Sequence, residues 1–185
     1  MTHEIIAIIS VLIIWKLIML QLRDLPTPEI LNKFSMRYPD ADVGAISTFL
    51  FLLRVATDLS NVLDDCLNRH GLLQGRWWVL ILLMREDSRS LTPSQLSDKI
   101  GVSRASITGL LDGLERDGLI TRFYNEKDRR SLSIGLTESG QKKLDQVMPD
   151  YYECLKFCMS DLDPGSKNQL NQMLSLISHK LQTFF

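Results

Sequence analysis

Three cysteines in 185 residues, at positions 66, 154 and 158, show no paired spacing. That argues against a disulfide framework and for a reducing compartment. Histidine is as scarce. His3, His70 and His179 are scattered, with neither metal-ligand spacing nor a nucleophile to complete a triad. No metal, no cofactor and no catalytic residue is expected, and an enzyme is the weakest class of function. Positive charge is not in surplus either: the formal net charge is −1, which excludes a globally basic surface. The apolar run at 5–22 is also expected to be a poor secretory leader: no basic region precedes it, and no small-residue cleavage site follows it.

What is present is concentrated between residues 91 and 140. Thr92-Pro93-Ser94-Gln95 is a capping box, with Pro at the first helical position, where its missing N–H costs nothing. Leu96 and Ile100 give that helix an apolar edge, and Gly101 can take the positive φ of a tight turn. Ser103 then caps a second helix that runs to about Asp117 and is stopped by Gly118. Ile107, Leu110, Leu111 and Leu114 form its apolar face. Arg104, Ala105, Thr108, Gly109 and Asp112 lie opposite, small and polar enough to enter a major groove about 12 Å wide.

Two strands follow. Residues 119–124 are rich in strand formers, and residues 131–136 alternate with Leu132, Ile134 and Leu136 on one side. Residues 125–130 join them as a charged loop holding Lys127, Arg129 and Arg130 against Glu126 and Asp128. An arginine on such a tip can reach phosphates or a narrow minor groove, and Asp128 can orient one through a bidentate pair. Helix, turn, helix and hairpin in this order make a winged helix-turn-helix. With a net charge of −1, its DNA affinity must come from a local patch and depend strongly on salt.

The flanks are helical. Apolar residues recur from Val43 through Ile46, Phe49, Leu53, Leu59, Leu63 and Leu67 until Gly71 stops the pattern. Residues 75–84, GRWWVLILLM, are too apolar for a surface helix. A helix from Thr137 carries Leu144, Val147, Tyr151 and Leu155, with Pro149 expected to kink it. Asp163-Pro164 opens a last helix with Leu170, Met173, Leu174, Ile177 and Leu181. These stripes exceed what one small domain needs and suit a second copy. The expected fold is mainly α with a small antiparallel β wing (α+β), a winged helix-turn-helix flanked by dimerisation helices. The divisions are 1–24 (apolar extension), 25–72 (N-terminal dimerisation region), 73–137 (DNA-binding domain) and 138–185 (C-terminal dimerisation helices).

The chain resembles the MarR family of bacterial regulators, with an EmrR-like (MprA-like) layout. The resemblance rests on Leu96-Ser97-Asp98-Lys99-Ile100-Gly101-Val102-Ser103, on Leu114-Glu115-Arg116-Asp117-Gly118-Leu119-Ile120, and on Asp128-Arg129-Arg130 followed by Leu136-Thr137-Glu138-Ser139-Gly140. It implies a homodimeric, ligand-responsive repressor on double-stranded DNA, with half-sites roughly 34 Å apart. It implies that Ser103, Arg104, Ser106 and Thr108 meet the major groove. Arg130 would enter the minor groove braced by Asp128, and Arg129 would contact the backbone. Arg122 and Lys127 add to the wing's positive charge. The chain departs from the family at Gly109 and Gly113, where relatives often carry basic residues. Asp112, Glu115 and Asp117 also offset Arg104 and Arg116, so the wing carries more of the binding.

The family's effectors, often phenolic or lipophilic, bind between the dimer helices and the DNA-binding domain. Arg76, Trp77 and Trp78 lie in that region, with Met84, Met148 and Met159 as adaptable neighbours. Adjacent helical positions point about 100° apart, so only one Trp can line a cavity, and core packing serves both. Cys66 is at the wrong end of its helix to match oxidation-sensing relatives, and all three cysteines read as structural. Residues 5–22 fit a bilayer span of about 17–25 residues, but Lys16 within them costs about 2.5–3.5 kcal/mol at mid-membrane. Soluble relatives begin near Leu25. A packed helix, or a true start at Met19 or Met36, is therefore favoured over an anchor, and the cytoplasm over the inner membrane. The alternative from another class is a membrane-tethered protein that uses the winged helix to bind protein.

Overall fold

The computed structural model describes residues 24–124 and 132–183. The elements are α1 (Pro28–Arg37), α2 (Val43–Asn68), α3 (Gln74–Arg85), β1 (Ser90–Leu91), α4 (Pro93–Ile100), α5 (Arg104–Arg116), β2 (Ile120–Tyr124), β3 (Leu132–Leu136), α6 (Glu138–Cys158) and α7 (Pro164–Gln182). The expected order is borne out, with two additions. The first is α1, capped by Thr27 with Pro28 at its first turn and seated through Leu31. The second is β1, two residues that pair antiparallel with β3 and make the sheet three-stranded in the order β1-β3-β2.

The core lies between α3, the helix-turn-helix and the start of α6. Trp77, Leu80 and Leu83 of α3 meet Leu96 of α4, Ile107, Leu111 and Leu114 of α5, Ile120 and Ile134 of the sheet, and Leu144 and Val147 of α6. All of these are fully buried, as the apolar run at 75–84 required. Trp77 stacks obliquely on Tyr151, ring centroids 5.1 Å apart, which ties α3 to the middle of α6. The end of α2 is tied to α6 as well: Lys143 donates to the His70 carbonyl (2.6 Å), and His70 pairs with Asp150 (2.8 Å).

Pro149, where a kink is expected, lies inside α6, which runs through it as one helix. Pro149 and Asp145 are both exposed, so the Asp145 carbonyl deprived of its helical donor faces solvent rather than the core.

Two helices carry far more apolar surface than this core uses. α2 buries only Thr57, Cys66 and Leu67, and exposes Ile46, Phe49, Phe51, Leu53, Val55, Leu59 and Val62. By length and composition alone it could cross a membrane. α7 buries nothing, and Leu170, Met173, Leu174, Ile177 and Leu181 form an exposed stripe.

Candidate nucleic-acid interface

The helix-turn-helix is assembled by local hydrogen bonds. The Thr92 hydroxyl accepts from Gln95 N–H (3.2 Å), and the Gln95 side chain accepts from Thr92 N–H (2.8 Å), so the capping box closes as expected. Gly101 ends α4 in the left-handed conformation, φ 77°. Ser103 caps α5 by accepting from Ser106 N–H (3.1 Å), and its hydroxyl also bonds that of Ser106 (2.9 Å). α5 presses Ile107, Leu111 and Leu114 into the core and leaves Ser103, Arg104, Thr108 and Gly109 exposed. The Thr108 hydroxyl donates to the Arg104 carbonyl (2.9 Å) and keeps its lone pairs for an outside donor. Ser106 is half-buried. Space around Gly109 is open, with nothing within 4 Å of where a Cβ would stand.

The motif Leu136-Thr137-Glu138-Ser139-Gly140 has a mechanical reading. Thr137 caps α6, accepting from Gly140 N–H (3.0 Å), and its hydroxyl donates back to the Gly118 carbonyl (2.7 Å). Thr137 N–H reaches the Leu119 carbonyl (3.2 Å). That carbonyl passes so close that a Cβ on Gly140 would sit 2.1 Å from it. Gly118 itself is left-handed, φ 69°, which turns the chain from α5 into β2. The motif clamps the base of the wing to the first turn of α6.

Arg122, expected among the DNA-contacting cations, is placed otherwise. In β2 it lies opposite Ile134, on the sheet face shared with buried Ile120, and so points toward α5. Its guanidinium donates to Asp112 (2.5 Å) and pairs with Glu115 (3.2 Å). The period-two alternation from Ile120 to Arg122 carried that signal in the sequence. Lys127, Asp128, Arg129 and Arg130 lie outside the described residues, so the expected minor-groove arginine and its brace do too.

The expected effector residues face different surroundings. Trp77 is sealed in the core, Trp78 is half-buried, and Arg76 turns to α5, where it pairs with Asp117 and donates to the Gly113 carbonyl (3.2 Å). Among the described residues a concavity lies elsewhere, between α2 and α6. It is a groove of about 550 Å³ lined by residues that include Val62, Cys66, Arg69, Asp150, Cys154 and Phe157. Cys154 lies against both Cys66 and Cys158, so residues far apart in sequence form a thiol cluster that spacing alone did not reveal. Burial first, then these two thiols, push the Cys154 thiol above its usual pKa. A raised thiol pKa leaves less thiolate near neutral pH than a free cysteine has, in line with structural cysteines. Among the described residues no group of His, Cys, Asp and Glu is arranged to hold a metal ion.

A capped helix pair, an exposed polar helix face and a three-stranded wing define a winged helix-turn-helix DNA-binding protein. The family model described as MarR family matches residues 76–132. The HTH-type transcriptional repressor YetL of Bacillus subtilis is 30% identical over 165 residues, 89% of this chain and 99% of YetL. The transcriptional repressor MprA of Escherichia coli is 30% identical over 156 residues, 84% and 89% of the two chains. The MarR regulator Sco3205 of Streptomyces coelicolor, solved in complex with DNA, superposes with a TM-score of 0.67 at 22% identity, over 73% of this chain and 86% of that one. The chain belongs to the MarR family: it is a DNA-binding transcriptional regulator, not an enzyme.

Proposed function

We propose that the chain is a homodimeric cytoplasmic repressor that binds a palindromic operator and is released by a small lipophilic effector. The observation that carries the dimer is α7, a helix with a regular apolar stripe and no buried residue. At about 1.5–3 kcal/mol per fully buried side chain, five such residues per copy can offset an association cost of roughly 4–15 kcal/mol. In this reading residues 25–72 and 138–185 pair with the second copy, and residues 73–137 present the DNA face. Ser103, Arg104, Ser106 and Thr108 read the major groove. Lys127, Arg129 and Arg130, with Asp128 orienting Arg130, hold the backbone and minor groove. The groove between α2 and α6 supports the effector reading better than Arg76, Trp77 and Trp78 do. It is open, and one of its two walls is α2, the helix whose apolar faces await the partner.

The test is enrichment of duplexes from a random-sequence pool, then gel-shift titration at two salt concentrations with light scattering of the free protein. A monomer mass, or no salt-sensitive shift with any duplex, sinks the reading. Arg130→Ala is expected to weaken the shift severely while dimer mass stays unchanged; wild-type affinity in that variant removes Arg130 from the interface.

A further inference from the structure

The recognition helix and its C-cap carry two arginines, Arg104 and Arg116, against three acids, Asp112, Glu115 and Asp117. Alone, that composition repels DNA. Each of the three acids, however, meets an arginine from another element. Arg122 of β2 reaches Asp112 (2.5 Å) and Glu115 (3.2 Å), and Arg76 of α3 holds Asp117 and the Gly113 carbonyl. Both arginine side chains are largely sheltered, and the Nε of each is sealed from solvent. Arg76 lies directly over Gly113: its guanidinium carbon is 3.9 Å from where a Cβ at 113 would stand, an ordinary contact. Arg104 and Arg116 have no ion-pair partner among the described residues. Counted with Arg76 and Arg122, four arginines meet three acids, so α5 and the groups packed behind it together present net positive charge.

We propose that Arg122 and Arg76 are positioning residues for DNA recognition. They pair with the acids of the recognition helix, hold them back and offset most of their charge, and do not themselves contact phosphates. This rests on the DNA-binding reading of α5. Asp112 matters most, because it shares the exposed face with Arg104, Thr108 and Gly109. Released from Arg122, its carboxylate would meet the phosphates. At about 7 Å, one uncompensated charge pair is worth roughly 3- to 50-fold in affinity between bulk water and the protein surface.

The experiment is a double-mutant cycle on a duplex enriched by the wild-type protein, using Arg122→Met, Asp112→Asn with Glu115→Gln, and all three together. Methionine keeps much of the buried stem, and circular dichroism with melting temperature checks folding. Arg122→Met is expected to weaken binding about tenfold, in the middle of that range. Removing the acids should then raise affinity far more in the Arg122→Met background than with Arg122 intact, restoring the triple variant to near wild type. A phosphate contact behaves differently: the acids change affinity by the same factor in both backgrounds, and the triple variant keeps a salt slope lower by about 0.9. That outcome overturns the brace and leaves the regulator standing. If the wild-type protein enriches no duplex, both fall. Arg76→Met with Asp117→Asn is the second cycle. Independence there, together with independence at Arg122, removes the proposal entirely.

Discussion

Replacing Gly140 by Ala tests the clamp between wing and α6, and its sign is unusual for a helix. Gly140 is the third residue of α6, where Ala ordinarily gains up to about 1 kcal/mol. Here the added Cβ would lie 2.1 Å from the Leu119 carbonyl oxygen and 2.7 Å from a Leu136 methyl, against an ordinary contact of 3.4 Å or more. The obstacle is backbone and cannot rotate away. α6 must retreat from the start of β2 by about an ångström, an overpacking cost of about 1–3 kcal/mol. That retreat stretches Thr137 N–H to Leu119 O (3.2 Å) and Thr137 Oγ–H to Gly118 O (2.7 Å). Each lost bond costs about 1 kcal/mol. The net is a destabilisation of about 2–4 kcal/mol, or roughly 5–15 °C in melting temperature for a chain of this size. Urea unfolding followed by circular dichroism at fixed protein concentration measures it. Ser139→Ala, at an exposed neighbouring position, should stay within about 0.5 kcal/mol of wild type. A Gly140→Ala protein as stable as wild type, or more so, would refute the close-approach reasoning.

Gly109→Lys should strengthen DNA binding and steepen the salt slope by about 0.9, because the position is open and on the exposed face of α5. It should also raise stability by about 0.5–1 kcal/mol, since glycine is costly inside a helix. Unchanged affinity would mean that this face does not meet phosphate. Cys154, whose thiol is held above its usual pKa by burial and by Cys66 and Cys158, forms thiolate only at more alkaline pH than a free cysteine. Its alkylation by iodoacetamide at neutral pH should therefore be slower than that of free cysteine, and a faster rate would refute the inert-thiol reading.

The features legible in the sequence are those decided by residues within one helical turn of each other. Thr92 with Gln95, Ser103 with Ser106, and the positive φ at Gly101 and Gly118 are such cases. The burial of 75–84 was legible from composition. β1 was not, because two residues have no period to read: Ser90 and Leu91 pair only because β3 offers them an edge. Pro149 stands inside α6 because the carbonyl it leaves unpaired is exposed, and exposure is tertiary. The thiol cluster was hidden for the same reason: Cys66 and Cys154 meet only when α2 packs on α6.

Charge shows the limit most clearly. Counted along α5 and its cap, two arginines face three acids, and the helix looks ill suited to a polyanion. Counted in space, the acids belong to Arg76 and Arg122. One of these arginines arrives from a helix 37 residues upstream of Gly113 and the other from a strand 10 residues after Asp112. A carboxylate hydrogen-bonded to a sheltered guanidinium presents little field beyond a Debye length of about 8 Å, whereas an unpaired exposed arginine presents all of its own. The DNA-facing charge of a recognition helix is therefore a property of the elements packed behind it. In this chain those elements are α3, part of the core, and β2, the strand that begins the wing. Loosening either should lower DNA affinity even when every residue able to touch DNA is intact.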